Sequence, residues 1–223
     1  MNELRKPIFL KLLTVVIFGI ALAYFEAAVV VYLRAIFYPE GFKFPLSLFD
    51  INASHKHLLL TEIGREAASM VLIVTAACLF GKNKRQRLAY FLIIFAIWDI
   101  FYYVWLKVLL DWPASIMDWD ILFLIPAVWA SPVLAPVLVS ILFLIFAGII
   151  LYRDHKDGLI KTTIIDWIGF LAGAFIVIIS FCIAGRYTNE PDYAGNFSWL
   201  LFGLGCLVAI AAFIKCIIRP EQQ

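Results

Sequence analysis

The stretch Thr61-Glu62-Ile63-Gly64-Arg65-Glu66-Ala67-Ala68-Ser69-Met70 sets two carboxylates, a guanidinium and a hydroxyl inside an otherwise apolar run. At about 100° per helical residue, Glu62, Arg65, Glu66 and Ser69 fall within roughly one 100° arc and form a continuous polar stripe. In hydrocarbon such a stripe must face protein or water. Two chemistries follow: the carboxylates pair with Arg65 and fix packing, or one of them keeps an exchangeable proton or holds a cation.

Two further apolar runs carry acids. Glu26 follows Gly19 and Ala23 on one helical face, where small residues allow a neighbour to approach closely. Asp99 opens "WDIFYYVWLK", with Tyr102 and Tyr103 at i+3 and i+4, so their hydroxyls can share its polar surface. Arg34 and Lys107 sit near the ends of their runs, where long basic side chains snorkel to headgroups. If all seven groups meet, four acids face three bases, so one carboxyl is protonated or a cation is bound. Trp98, Trp105 and Trp129 are the expected aromatic lining beside these carboxylates.

Such residues need helices that cross a membrane. Of 223 residues, 64% are hydrophobic and only 15% charged, and the mean hydropathy is +0.96, which excludes an ordinary soluble domain. About 20 apolar residues cross a hydrocarbon core. Six segments qualify, at about 12–36, 58–80, 88–110, 120–151, 163–186 and 196–218. The expected fold class is therefore an all-α integral membrane protein, 1–223 forming a single polytopic membrane domain. The first run continues past Ala21-Leu22-Ala23 to about Phe37, too long for the roughly 7–15-residue core of a secretory signal. The fourth is overlong and contains Pro126, Pro132 and Pro136. It is expected to be proline-interrupted, with an interfacial or broken first portion ahead of a spanning helix.

Basic loops stay in the cytoplasm. Lys82, Lys84, Arg85 and Arg87 lie in one connection and Arg153, Lys156 and Lys161 in another, whereas 111–120 and 187–196 contain no Lys or Arg. With Arg5, Lys6 and Lys11 at one end and Lys215 and Arg219 at the other, both termini are expected inside, in the inner (plasma) membrane. The first outer loop, 38–56, with Pro39, Gly41 and Pro45 among aromatic residues, reads as a short cap on the outer surface.

The remaining motifs carry less chemistry. Cys78, Cys182, Cys206 and Cys216 show no CxxC spacing and read as packing thiols. His55, His57 and His155 lie outside the apolar runs, so no haem is expected, and no metal site is assigned because His55-x-His57 lacks a third ligand at a defined spacing. Asp118 and Asp120 read as caps for the fourth helix. Gly169 and Gly173 form a GxxxG pair that packs the fifth and sixth helices, which read as scaffold. There is no Walker loop, HExxH or nucleophile elbow. A net charge of +2 without a basic stripe gives no nucleic-acid partner.

The leading expectation is an inner-membrane protein that binds a small solute, ion or proton in an outward-facing charged pocket, a small transporter being one form. Glu26, Glu62, Arg65, Glu66, Asp99, Tyr102 and Tyr103 are its binding residues. One alternative is a membrane-embedded enzyme acting on a lipid or isoprenoid head group through clustered carboxylates, with or without a divalent metal. Another is a structural subunit of a membrane complex whose charges pair internally.

Overall fold

A computed structural model describes residues 5–46, 53–156 and 162–219, with side chains from residue 9 and, after the first break, from residue 56. Six helices form: α1 Arg5–Phe37, α2 Ala53–Phe80, α3 Lys84–Leu110, α4 Leu134–His155, α5 Ile164–Gly185 and α6 Trp199–Ile218. All six are long and apolar enough to cross a membrane, which makes this a multi-pass membrane protein. Large apolar side chains such as Phe25, Leu79, Leu171 and Leu200 are exposed, as suits surfaces that meet lipid.

The expected fourth helix differs at its start. Residues Trp119–Phe123 and Trp129–Pro132 form strands β1 and β2 of an antiparallel hairpin, and α4 begins only at Leu134. Pro126 and Pro132 bias Ile125 and Ser131 away from α geometry, so no helix can run through them. Pro136 falls in the first turn of α4, where its missing N–H has no intrahelical partner to lose, so α4 itself runs without interruption to His155. The broken first portion expected of 120–151 is this hairpin. Asp120 accordingly lies in a strand, 2% exposed, and is no helix cap. Asp118 caps a turn instead: its Oδ2 accepts from the N–H groups of Ala114 at 2.7 Å and Ser115 at 3.2 Å.

The chain gathers into two compact units. One comprises Met1–Gly41, Ala67–Asp118 and Pro136–Tyr152, and thus α1, the second half of α2, α3 and most of α4. Within it α1 and α3 run parallel, because their contacts advance together along both helices. Lys11 stands over the Tyr90 ring at 4.8 Å, a Cβ on Gly19 would meet Ile97, and Arg34 covers Trp112 at 3.8 Å. Parallel packing is what two odd-numbered spans require when the second returns between them. Gly19 and the fully buried Ala23 and Ala27 let the two backbones approach.

The other unit comprises Phe42–Glu66, Trp119–Ala135 and Arg153–Gln223. Here α5 and α6 are antiparallel: Gly169 faces Ala212, and Gly173 faces Gly205 and Ala209 so closely that a Cβ would strike backbone. One end of the pair is clasped by Asp166, whose side chain is fully buried. It accepts from the Thr163 N–H and hydroxyl, both at 2.7 Å. It also accepts from both terminal nitrogens of Arg219, at 2.8 and 3.0 Å. Two donors from the helix N-terminus and a bidentate guanidinium offset the desolvation of this carboxylate. The Asp166 bond in turn raises Arg219 above the usual guanidinium range.

The hairpin lies against the other end of α5. Trp129 stacks on Phe181 with ring centroids 6.1 Å apart, and a Cβ on Gly185 would collide with the Val128 carbonyl. Trp119 joins Phe44 at 5.9 Å and Tyr193 at 5.1 Å, while the Leu46 N–H donates to the Thr188 carbonyl at 2.7 Å. The first loop, the hairpin and the loop before α6 are thereby bound into one aromatic cap. The part of that loop at 47–52 lies outside the described residues.

This packing makes Gly185 a sensitive position. Gly185→Ala should lower stability by about 1–3 kcal/mol through overpacking against Val128, whereas Gly148→Ala, with open space around it, should be neutral or slightly stabilising. Thermal unfolding in detergent followed by circular dichroism reads the difference, and equal behaviour of the two variants would refute the contact.

Candidate functional site

The carboxylates of the apolar spans fall into two groups, each held within its own unit. On α2, Glu62, Glu66 and Ser69 are 8%, 5% and 7% exposed, so the helical arc predicted to face away from lipid is buried. Arg65 is bidentate to Glu62, Nε to Oε2 at 2.9 Å and Nη2 to Oε1 at 2.6 Å. The i,i+3 spacing places the two side chains on one face, and the planar guanidinium matches the carboxylate edge. One turn on, both carboxylate oxygens of Glu66 accept from the backbone N–H of Leu124, at 3.2 and 3.0 Å. Leu124 is the first residue past β1, and its N–H would otherwise lack a ladder partner in an apolar setting. Glu66 therefore fixes the hairpin loop to α2.

The other unit holds Glu26 and Asp99. Ser69 Oγ, on the part of α2 that belongs to this unit, donates to Glu26 Oε2 at 3.4 Å. Ser140 Oγ, fully buried on α4, donates to Asp99 Oδ2 at 2.7 Å. Each acid thus reaches a hydroxyl on the next helix in the chain. From the parallel register of α1 on α3, Asp99 stands level with about Ala21, some 7 Å along the axis from Glu26 at about 1.5 Å per residue.

Around these acids, Trp105 Nε1 donates to the Ile20 carbonyl at 3.1 Å and meets Tyr24 edge-on at 5.3 Å. Trp98, 5% exposed, packs on Phe95 at 5.4 Å. Tyr102 and Tyr103 make a T-shaped pair at 4.9 Å, and Tyr103 also packs on Trp112 at 6.4 Å. Trp129 belongs to the other unit, between Phe123 and Phe181. Of the three predicted lining tryptophans, Trp98 and Trp105 therefore lie in the unit that holds Asp99 and Glu26, and Trp129 in the unit that holds Glu62, Arg65 and Glu66.

The bases at the helix ends are engaged with neighbours. Arg34 is not extended toward headgroups: it is 8% exposed and lies flat on Trp112, a cation–π stack that keeps a desolvated guanidinium in place. Tyr38, one turn beyond Arg34, has its phenol pushed up to about 12 by burial, against the opposing pull of Arg34. Lys107 pairs with Asp111 at 2.7 Å, and Asp111 closes α3 in a left-handed conformation, φ 52°. The hydrogen bond from Lys107, with its charge, holds the Asp111 carboxyl below its usual range. The stabilisation from this pair is therefore present above about pH 4 and is lost as the pH falls through the lowered value.

Sequence reasoning missed Ser140 and the Leu124 N–H. A serine in an apolar run hints at a polar neighbour, but a backbone group carries no residue signal at all. The side chain of His55 lies outside the described residues. Among the described residues, no three His, Cys, Asp or Glu side chains gather to hold a metal ion.

The Glu62–Arg65 pair is open to a direct check. Arg65→Gln alone should cost about 3–5 kcal/mol by leaving Glu62 buried without its ion partner, and the double variant with Glu62→Gln should recover most of it. Additive losses in a double-mutant cycle, read from thermal unfolding, would show that the two side chains are not coupled. Comparisons with protein-family models, with characterised proteins and with solved structures gave no match, so the functional reading rests on these residues.

Proposed function

We propose that this chain is an inner-membrane protein, both termini cytoplasmic, that binds a small solute, a cation or a proton at the carboxylates of Glu26 and Asp99 and works as a small transporter. The observation that carries this reading is the 2.7 Å hydrogen bond from the buried Ser140 hydroxyl to Asp99, midway along α3. An ionised carboxylate at the centre of a span costs about 2.5–3.5 kcal/mol. A hydrogen bond to a charged group returns about 1.5–3 kcal/mol. The serine hydroxyl offsets part of that cost when the acid is ionised and can accept from it when it is protonated, so either form is bonded, as an exchange site needs. Tyr102, Tyr103 and Trp105 supply the polar and aromatic surroundings in the same unit.

The orientation rests on the basic connections 81–87 and 153–161 against the uncharged-or-acidic ones at 111–120 and 187–196. The parallel α1–α3 and antiparallel α5–α6 pairs support the alternation of spans. Glu62, Arg65 and Glu66, which the sequence put in the same binding group, are bonded to each other or to the hairpin, and this observation favours a second reading as an accessory subunit with closed internal pairs.

Infrared titration of the reconstituted protein separates the two. Under the binding reading, a protonated carboxyl band changes with pH and is reduced in Asp99→Asn and in Glu26→Gln, while circular dichroism shows the helices intact. If neither variant alters a titrating band, or if both lose the fold, the accessory reading stands instead.

A further inference from the structure

The turn between α2 and α3 concentrates cations without acids. Lys82, Lys84 and Arg87 are exposed there, and Lys11 of α1 lies over Tyr90 close enough to Lys82 for the two charges to act on each other. No Asp or Glu occurs between Glu66 and Asp99, nor between Glu3 and Glu26. Among the described residues no carboxylate pairs with any of these four cations.

The turn holding them is built rather than loose. Asn83 Oδ1 accepts from the Gln86 N–H at 2.9 Å, Gln86 Oε1 accepts from the Lys82 N–H at 3.0 Å, and Arg87 Nε donates to the Gly81 carbonyl at 3.2 Å. Gly81 is buried so closely against Arg87 that a Cβ would strike its backbone. Like charges fixed side by side repel unless an anion lies between them. The first turn of α3 adds its positive dipole end and contains no acid to offset it.

We propose that Lys11, Lys82, Lys84 and Arg87 form a binding site for the phosphate of an anionic phospholipid. The apolar surface beside the cations commits the site to a lipid: Phe9, Leu10 and Leu13 on α1 are 64%, 55% and 43% exposed, and Leu79, at the end of α2, is 83% exposed. A headgroup phosphate bridging the cations lays its acyl chains along these side chains, and the same contact ties the start of α1 to the α2–α3 turn. Each cation near a lipid surface contributes about fivefold to such binding.

Native mass spectrometry of the full chain in detergent, with phosphatidylglycerol or phosphatidylcholine added, tests the site without depending on insertion direction. Phosphatidylglycerol adducts should survive preferentially and fall about fivefold for each of Lys11→Gln and Lys82→Gln. Lys82→Arg should retain them, and Lys43→Gln, which removes a charge elsewhere, should leave them unchanged. Equal retention of the two lipids, or an equal loss in Lys43→Gln, overturns the proposal. Displacement of the adduct by inorganic phosphate alone also overturns the lipid assignment, since it shows that the acyl chains contribute nothing.

Discussion

A carboxylate inside an apolar span must bond to something in the protein, and the architecture of this chain follows where those bonds go. Glu26 takes a hydroxyl from α2, Asp99 a hydroxyl from α4, Glu62 the guanidinium of Arg65, Glu66 a peptide N–H of the hairpin and Asp166 the guanidinium of Arg219. Each bond ties an element to another or stiffens it, so the polar residues act as specific ties in a structure whose apolar faces discriminate little among neighbours.

The hairpin shows the same constraint applied to the backbone. Strands at the membrane need their peptide groups satisfied, and β1 and β2 satisfy each other along the ladder but not past its end. Glu66 supplies the acceptor at that point, and Gly185 makes room on α5 for the Val128 carbonyl. Glu66, which the sequence put among the binding residues, also positions the hairpin. Glu26 and Asp99 differ in kind: a hydroxyl accepts as readily as it donates, so either protonation state of the acid can be bonded. Under the proposed reading, that adaptability is what suits these two acids to exchange.

Much of the fold was legible because the relevant signals are local. Span length and apolarity act residue by residue, so all six crossing helices could be placed. Helical phase put Glu62, Arg65, Glu66 and Ser69 on one face, and that face is buried. Gly169 and Gly173 announced a close helix contact because only a missing side chain lets backbones touch. At the start of the fourth span the prolines announced a break ahead of the helix, but that the broken portion pairs as a β-hairpin depends on contacts no local signal carries.

The sequence by itself determined how many helices cross, which faces avoid lipid and where charge density is high. The tertiary structure alone decided which partner each charge has: Ser140 lies 41 residues from Asp99, and Leu124 lies 58 from Glu66. Such pairings depend on which helices pack and in what register. A serine hydroxyl or a peptide N–H becomes the partner of an acid only when packing brings it there, and nothing in its residue type foretells that.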